Sequence, residues 1–200
     1  MYRPEKTGIY PELGRAYLEV GEAKKAVEVL SAVQESDYVD FPLIEYYLGD
    51  ALRRTGQIER GEGHLRHYEE HLRRTVEKDG DGKSLNNLAW FLMEEGRSLD
   101  EALQMATRAV QKEPLNQYFL GTLGCIYYQL GRYKDAMERL VLALEHHTSR
   151  ADTGTDLCFA AMTAVKLAQP DVAKKYYKQA EENDPRNRYL AQAKRVVEGK

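Results

Sequence analysis

Basic excess is absent from this 200-residue chain: 29 Lys and Arg face 32 Asp and Glu, for a formal net charge of −3 and a pI near 6.0. A nucleic-acid surface needs a basic stripe, and a lipid-headgroup anchor needs a polybasic cluster. The cations here are interspersed with acids, so neither partner is expected. Cysteine is scarce. Cys125 and Cys158 both fall inside apolar helical patterns, where two thiols cannot staple so long a chain and read as reduced and buried. No stretch approaches the roughly 20 apolar residues of a membrane span. Met1 to Tyr10 has no apolar h-region, so no signal peptide is read there and a cytoplasmic protein is expected. Catalytic signatures are missing too: there is no GxSxG, phosphate-cradling glycine loop, HExxH or Cys-x-x-Cys. The expectation is therefore a non-enzyme without cofactor or metal.

What is present is a repeat. Tyr10, Leu13, Gly14 and Tyr17 sit at i, i+3, i+4 and i+7, one face of a helix. Gly21 interrupts, and Ala26, Leu30 and Val33 mark a second helix. The frame returns as Leu48, Gly49, Leu52, Gly56, Gly61, Leu65 and Tyr68. A third copy runs from Leu85 and Ala89 through Gly96 to Ala102, Ala106 and Ala109. A fourth contains Leu120, Gly124, Tyr127, Gly131, Ala136, Leu140 and Ala143. A fifth contains Leu157, Ala161, Ala164, Ala168, Ala173, Tyr177 and Ala180. Pro114 and Pro185 close copies three and five, where proline ends a helix.

These residues resemble the tetratricopeptide repeat family, bacterial members especially, over roughly residues 7 to 186. The resemblance implies a right-handed all-α solenoid of about five antiparallel helix pairs. Its physics is visible in the residues. Small side chains on the first helix (Gly14, Gly49, Ala89, Gly124, Ala161) face small ones on the second (Ala26, Gly61, Ala102, Ala136, Ala173), so the helices can approach closely. One hairpin cannot bury its own apolar face, so stacking makes the core. Copy two departs from the pattern. Ile58 to Lys78 reads as a long second helix that Asp79-Gly80-Asp81-Gly82 breaks. An irregular joint is expected at residues 79–83, between sub-blocks 7–78 and 82–185 of one solenoid, and residues 187–198 read as a capping helix.

Two clusters imitate metal sites. Glu77 to Gly82 resembles the start of a calcium loop, but its position 12 is Leu88 instead of Glu, and the reading preferred is a polar turn. His64, His67 and His71 share one helical face, which the repeat frame places on the solvated convex side. His146 and His147 read as caps at a helix C-terminus.

In the family, positions 2, 5, 9 and 12 of each first helix line a concave groove. Carried over, this implies Gly8, Pro11, Arg15 and Leu18 in copy one, and Leu43, Tyr46, Asp50 and Arg53 in copy two. It implies Lys83, Asn86, Trp90 and Met93 in copy three, Tyr118, Gly121, Cys125 and Tyr128 in copy four, and Thr155, Cys158, Met162 and Val165 in copy five. For Cys125 the core reading is preferred. Trp, Tyr and Arg dominate binding hot spots, so Trp90, Tyr118 and Tyr128 are the expected anchors for an amphipathic helix or extended peptide. Family members that clamp acidic chaperone tails need a particular Lys/Asn/Arg set, of which only Lys83 is in place. The expected function is a protein-binding adaptor. The alternatives are a self-assembling oligomerisation module and the regulatory segment of a larger enzyme.

Overall fold

The computed structural model describes residues 9–34, 42–149 and 153–199. Among these there are eleven helices and no strand. They are α1 (Ile9–Glu19), α2 (Ala23–Gln34), α3 (Pro42–Arg54), α4 (Ile58–Lys78), α5 (Gly82–Glu94), α6 (Leu99–Lys112), α7 (Gln117–Gln129), α8 (Tyr133–His146), α9 (Gly154–Lys166), α10 (Pro170–Asn183) and α11 (Leu190–Glu198). Odd and even helices up to α10 are the two arms of five hairpins.

One backbone device turns all five hairpins. The second residue past the end of the first helix is left-handed: Gly21, Gly56, Gly96 and Gly131 have φ between 59° and 85°. The next amide donates back to a carbonyl five residues earlier, as Arg132 does to Tyr127 and Gln169 to Ala164, each at 2.9 Å. This satisfies orphan carbonyls at the helix end. The fifth turn makes the same bonds around Ala168, the non-glycine residue forced to φ 57°.

At the glycine positions the nearest group on the facing helix is a leucine, one turn past the small residue expected there. A Cβ on Gly14, Gly49 or Gly124 would come within 2.6–2.7 Å of Leu30, Leu65 or Leu140. Each glycine thus admits a leucine from the facing helix, and all three leucines are fully buried. The second-helix alanines Ala26, Ala102, Ala136 and Ala173 are sealed as well.

The described chain divides into two compact units, Met1–Arg74 and Thr75–Lys200. The boundary falls inside α4. In the first unit Leu18, Ala26, Leu30, Val33, Ile44, Leu48, Ala51 and Leu52 form the core. The buried stripe of α1 is Pro11, Gly14 and Leu18, while Leu13 is 36% exposed. Pro11 and Leu18 are therefore core and not groove, because α1 packs on α2 and α3 together. Gly8 lies outside the described residues.

In the second unit α5 touches α7 and α7 touches α9, whereas α6, α8 and α10 make no comparable contact with one another. An inner row packed flank to flank behind a splayed outer row curves toward the inner row. The concave face of this unit is thus that of α5, α7 and α9. Between α4 and α5 only Asp79 to Asp81 intervene. Asp81 caps α5, its carboxylate accepting from the Ser84 amide at 2.7 Å.

Candidate partner-binding face

In the first unit the expected groove residues engage neighbours on the chain. Arg15 is exposed and pairs with Glu12 and Glu19 at 2.8 and 3.3 Å. Asp50 pairs with Arg54 at 2.8 Å, and Arg53 with Glu62 at 3.4 Å. Tyr46 stacks against Tyr47 and Tyr68, each with ring centroids 5.3 Å apart. Surface pairs of this kind hold side chains in place but add little stability. His64 does not face open solvent as expected. Its ring bonds Glu45 of α3 at 2.7 Å with 16% of the side chain exposed, while His67 reaches only 3.9 Å from the same carboxylate. Among the described residues no cluster of three or more His, Cys, Asp or Glu could hold a metal ion.

The inner face of the second unit is richer. Met93, Cys125 and Met162 are sealed, at 1%, 0% and 0% exposure, which corrects their assignment to an open groove. The inner helices touch along their flanks, so these positions fall in the seams between them. Burial pushes the Cys125 thiol well up, with Asp156 of α9 and Glu94 of α5 adding repulsion. Cys158 is likewise free and buried, its thiol pushed up to about 12. Neither is a nucleophile at neutral pH.

The aromatic residues stay accessible. Tyr118 is 52% exposed, its ring edge-on to the His147 imidazole with centroids 5.6 Å apart. Tyr128 is half-buried against Tyr133 and edge-on to Phe159 at 5.4 Å. Trp90 is half-buried, and Asn86, one turn earlier on α5, has its carbonyl oxygen sealed. Beneath Tyr118 lies a buried hydrogen-bonded pair, His147 Nε2 and Asp156 Oδ2 at 2.9 Å. Asp156 lies against Gly121, where a Cβ would collide with its carboxylate. His147 therefore serves as a buried partner and not merely as a cap. Its Nδ1 is sealed without a partner among the described residues.

Four residues absent from the expected groove complete this face: Glu94, Phe159, Arg188 and Tyr189. Arg188 reaches Glu94 of α5 at 2.6 Å, and the Glu94 side chain is only 5% exposed. The Tyr189 ring stands edge-on to Trp90 at 6.5 Å and to Phe159 at 5.0 Å. A signal for this was present in the sequence. Asp184-Pro185-Arg186-Asn187-Arg188-Tyr189-Leu190 parallels Glu113-Pro114-Leu115-Asn116-Gln117-Tyr118-Phe119. Asn187 bonds the Tyr189 amide at 3.0 Å as Asn116 bonds that of Tyr118 at 3.1 Å. Helix α11 thus begins as the first helix of a repeat does, and Tyr189 stands at the place of position 2. A second depression, bordered by Val141, Leu144, Leu157 and Tyr176 between α8, α9 and α10, shares no residue with the inner face.

Two family models, both described as tetratricopeptide repeat, match residues 92–152 and 157–187. The chain is a tetratricopeptide repeat protein. Its fold is shared by TTC0263, a thermophilic tetratricopeptide repeat protein of Thermus thermophilus, with a TM-score of 0.64 at 16% identity over 95% of this chain and 98% of that one. A chain of the APC/C hetero-tetramer Cut9–Hcn1 aligns with a TM-score of 0.62 at 15% identity, over 98% of this protein and 37% of that chain. YrrB, a tetratricopeptide repeat protein with an unusual peptide-binding site, gives 0.53 at 16% identity over 93% and 90%. No curated protein matches this tetratricopeptide repeat protein. The all-α solenoid expected from the sequence is the fold observed. Among the described residues no helix is long and apolar enough to cross a membrane.

Proposed function

We propose that this protein is a non-catalytic adaptor that holds a peptide or helix of a partner protein against the inner face of α5, α7 and α9. The observation that carries the reading is the row of Trp90, Tyr118 and Tyr128. These large rings remain partly or largely accessible on helices whose aliphatic side chains are sealed. Rings held by a rigid scaffold lose little entropy on contact and are typical interface anchors. The fold of YrrB, whose description includes a peptide-binding site, is in keeping with this reading.

The test is selection of binders from a displayed random-peptide library on the full chain, followed by titration of the tightest one. Tyr118→Ala is expected to weaken binding by at least about tenfold, the size of an interface hot spot. The thermal midpoint should not move, because Tyr118 is mostly exposed. Failure to recover any binder, or binders indifferent to Tyr118 and Trp90, would refute the proposal.

A further inference from the structure

Glu94 presents a problem that the fold solves in an unexpected way. Its carboxylate lies on the inner face with 5% of the side chain exposed. A carboxylate removed from water is costly unless a cation meets it. That cation comes from 94 positions further along the chain. Arg188 reaches Glu94 at 2.6 Å while keeping 54% of its own side chain in solvent. The next residue, Tyr189, places its ring between Trp90 and Phe159, from α5 and α9. A cation and an aromatic ring, adjacent in sequence, thus fill an acidic socket and an aromatic slot built by other helices.

The segment that delivers them packs on α9 and α10 but seals little of its own surface. Of the nine residues of α11 only Ala193 is fully buried. The firm attachment lies just before the pair: Asn187 bonds Thr155 of α9 at 3.1 Å and Asp184 at 3.0 Å. A segment with one sealed residue sits at the low end of local stability and opens readily.

We propose that the inner face of the second unit is a receptor for peptides carrying a basic residue followed directly by an aromatic one, and that Arg188-Tyr189 is a resident copy of that ligand which an incoming peptide displaces. The proposal rests on the inner-face reading above and specifies the ligand chemistry. The charge complement to Glu94 selects the basic residue, and the Trp90–Phe159 slot selects the ring. Tethering puts the resident pair at an effective concentration of order millimolar, so a free peptide meets an occupied site. Its apparent affinity is lowered by the fraction of chains that are closed.

The experiment uses the full chain and a fluorescein-labelled peptide copying residues 184–193, with a control peptide in which the Arg and Tyr are both Ala. Anisotropy titrations compare wild type, the double variant Arg188→Ala/Tyr189→Ala, and the double variant carrying Glu94→Gln as well. The vacated double variant is expected to bind at least about tenfold more tightly than wild type, as removal of a tethered competitor requires. Glu94→Gln should reverse most of that gain, and the control peptide should bind none of the three. Equal affinity for wild type and the vacated chain, or indifference to Glu94→Gln, would overturn the proposal. Should the double variant not fold, hydrogen exchange on wild type decides the matter. Saturating peptide must deprotect residues 190–198, and unchanged protection there refutes displacement. A wild-type chain that light scattering finds as a dimer through exchanged C-terminal segments would also overturn it, since the occupant would then be a second copy. Library binders that depend on Trp90 and Tyr118 but lack a basic–aromatic pair would refute this inference while leaving the adaptor function intact.

Discussion

Ala168 occupies the left-handed turn position that glycine fills in the other four hairpins. An L-residue with a Cβ is strained there by roughly 1–2 kcal/mol, partly offset by the smaller entropy loss of alanine on folding. Ala168→Gly is therefore expected to stabilise the protein by about 0.5–1 kcal/mol, read as a higher urea midpoint at constant slope. A lower midpoint would show that the turn is not under strain. Asp156 makes a second residue-scale argument. Burial raises its carboxyl above the ordinary value, and the hydrogen bond and charge of His147 oppose this only in part. The folded chain thus binds that proton more tightly than the unfolded chain does. Stability contributed at this site falls as pH rises from the ordinary carboxylate pKa through the raised folded one. Asparagine keeps an acceptor for His147 Nε2 and never ionises. Asp156→Asn should gain on wild type across that window and hold its advantage at neutral pH. Urea midpoints taken between about pH 4 and pH 7 measure this. A difference that shrinks as pH rises would contradict the assigned direction.

Hairpin α3–α4 shows how far a repeat frame can be read and where it stops. In the sequence Gly61 looks like a defect, a glycine where other copies carry alanine. In the structure a Cβ there would lie 2.7 Å from the Gly49 carbonyl oxygen and 2.8 Å from Arg53 Cγ, so the two helices touch backbone to backbone. Gly63, two residues on, has nothing within 4 Å of its missing Cβ. The paired substitutions should therefore act in opposite directions. Gly63→Ala is expected to stabilise by about 0.5–1 kcal/mol through helix propensity alone. Gly61→Ala carries the same gain but sets it against overpacking of about 1–3 kcal/mol, for a net loss. Denaturant titration of both variants checks the pair, and two shifts of the same sign would contradict the close approach. The span Ile58–Lys78, the hairpin turns and the buried alanines were legible because each is a local pattern with a helical period. The seams that seal Met93 and Met162 were not, since they depend on how inner helices pack side by side. The bond from His64 to Glu45 joins residues 19 apart on facing helices, and the pairing of Arg188 with Glu94 crosses 94 positions. No periodicity of one helix contains either contact. The parallel between the segments around Asn116 and Asn187 was legible, but only as the start of another repeat and not as an occupant of the inner face.

On the scale of the whole chain, one tryptophan serves two compact units. Trp90 is the single tryptophan and lies in the second unit, whereas helical ellipticity samples both. The stability of a repeat array is approximately a sum of repeat terms and nearest-neighbour terms, so fewer well-packed repeats melt first. The first unit has the thinner core. Of the 21 residues of α4 only Gly61, Leu65 and Leu72 are buried. In the second unit α9 alone buries ten of its 13 residues. Guanidinium should therefore remove part of the ellipticity before Trp90 emission shifts, the non-coincidence that marks departure from two-state unfolding. Superimposable curves from the two probes would mean that the whole array melts as one. The same pair of probes then locates the ligand. A peptide bound to the inner face at about 100 times its Kd stabilises what it contacts by about 2.7 kcal/mol. Saturating peptide should move the Trp90 transition to higher denaturant and leave the early loss of ellipticity where it was. A peptide that shifted the early phase instead would bind the first unit, and the inner face of α5, α7 and α9 would lose its role.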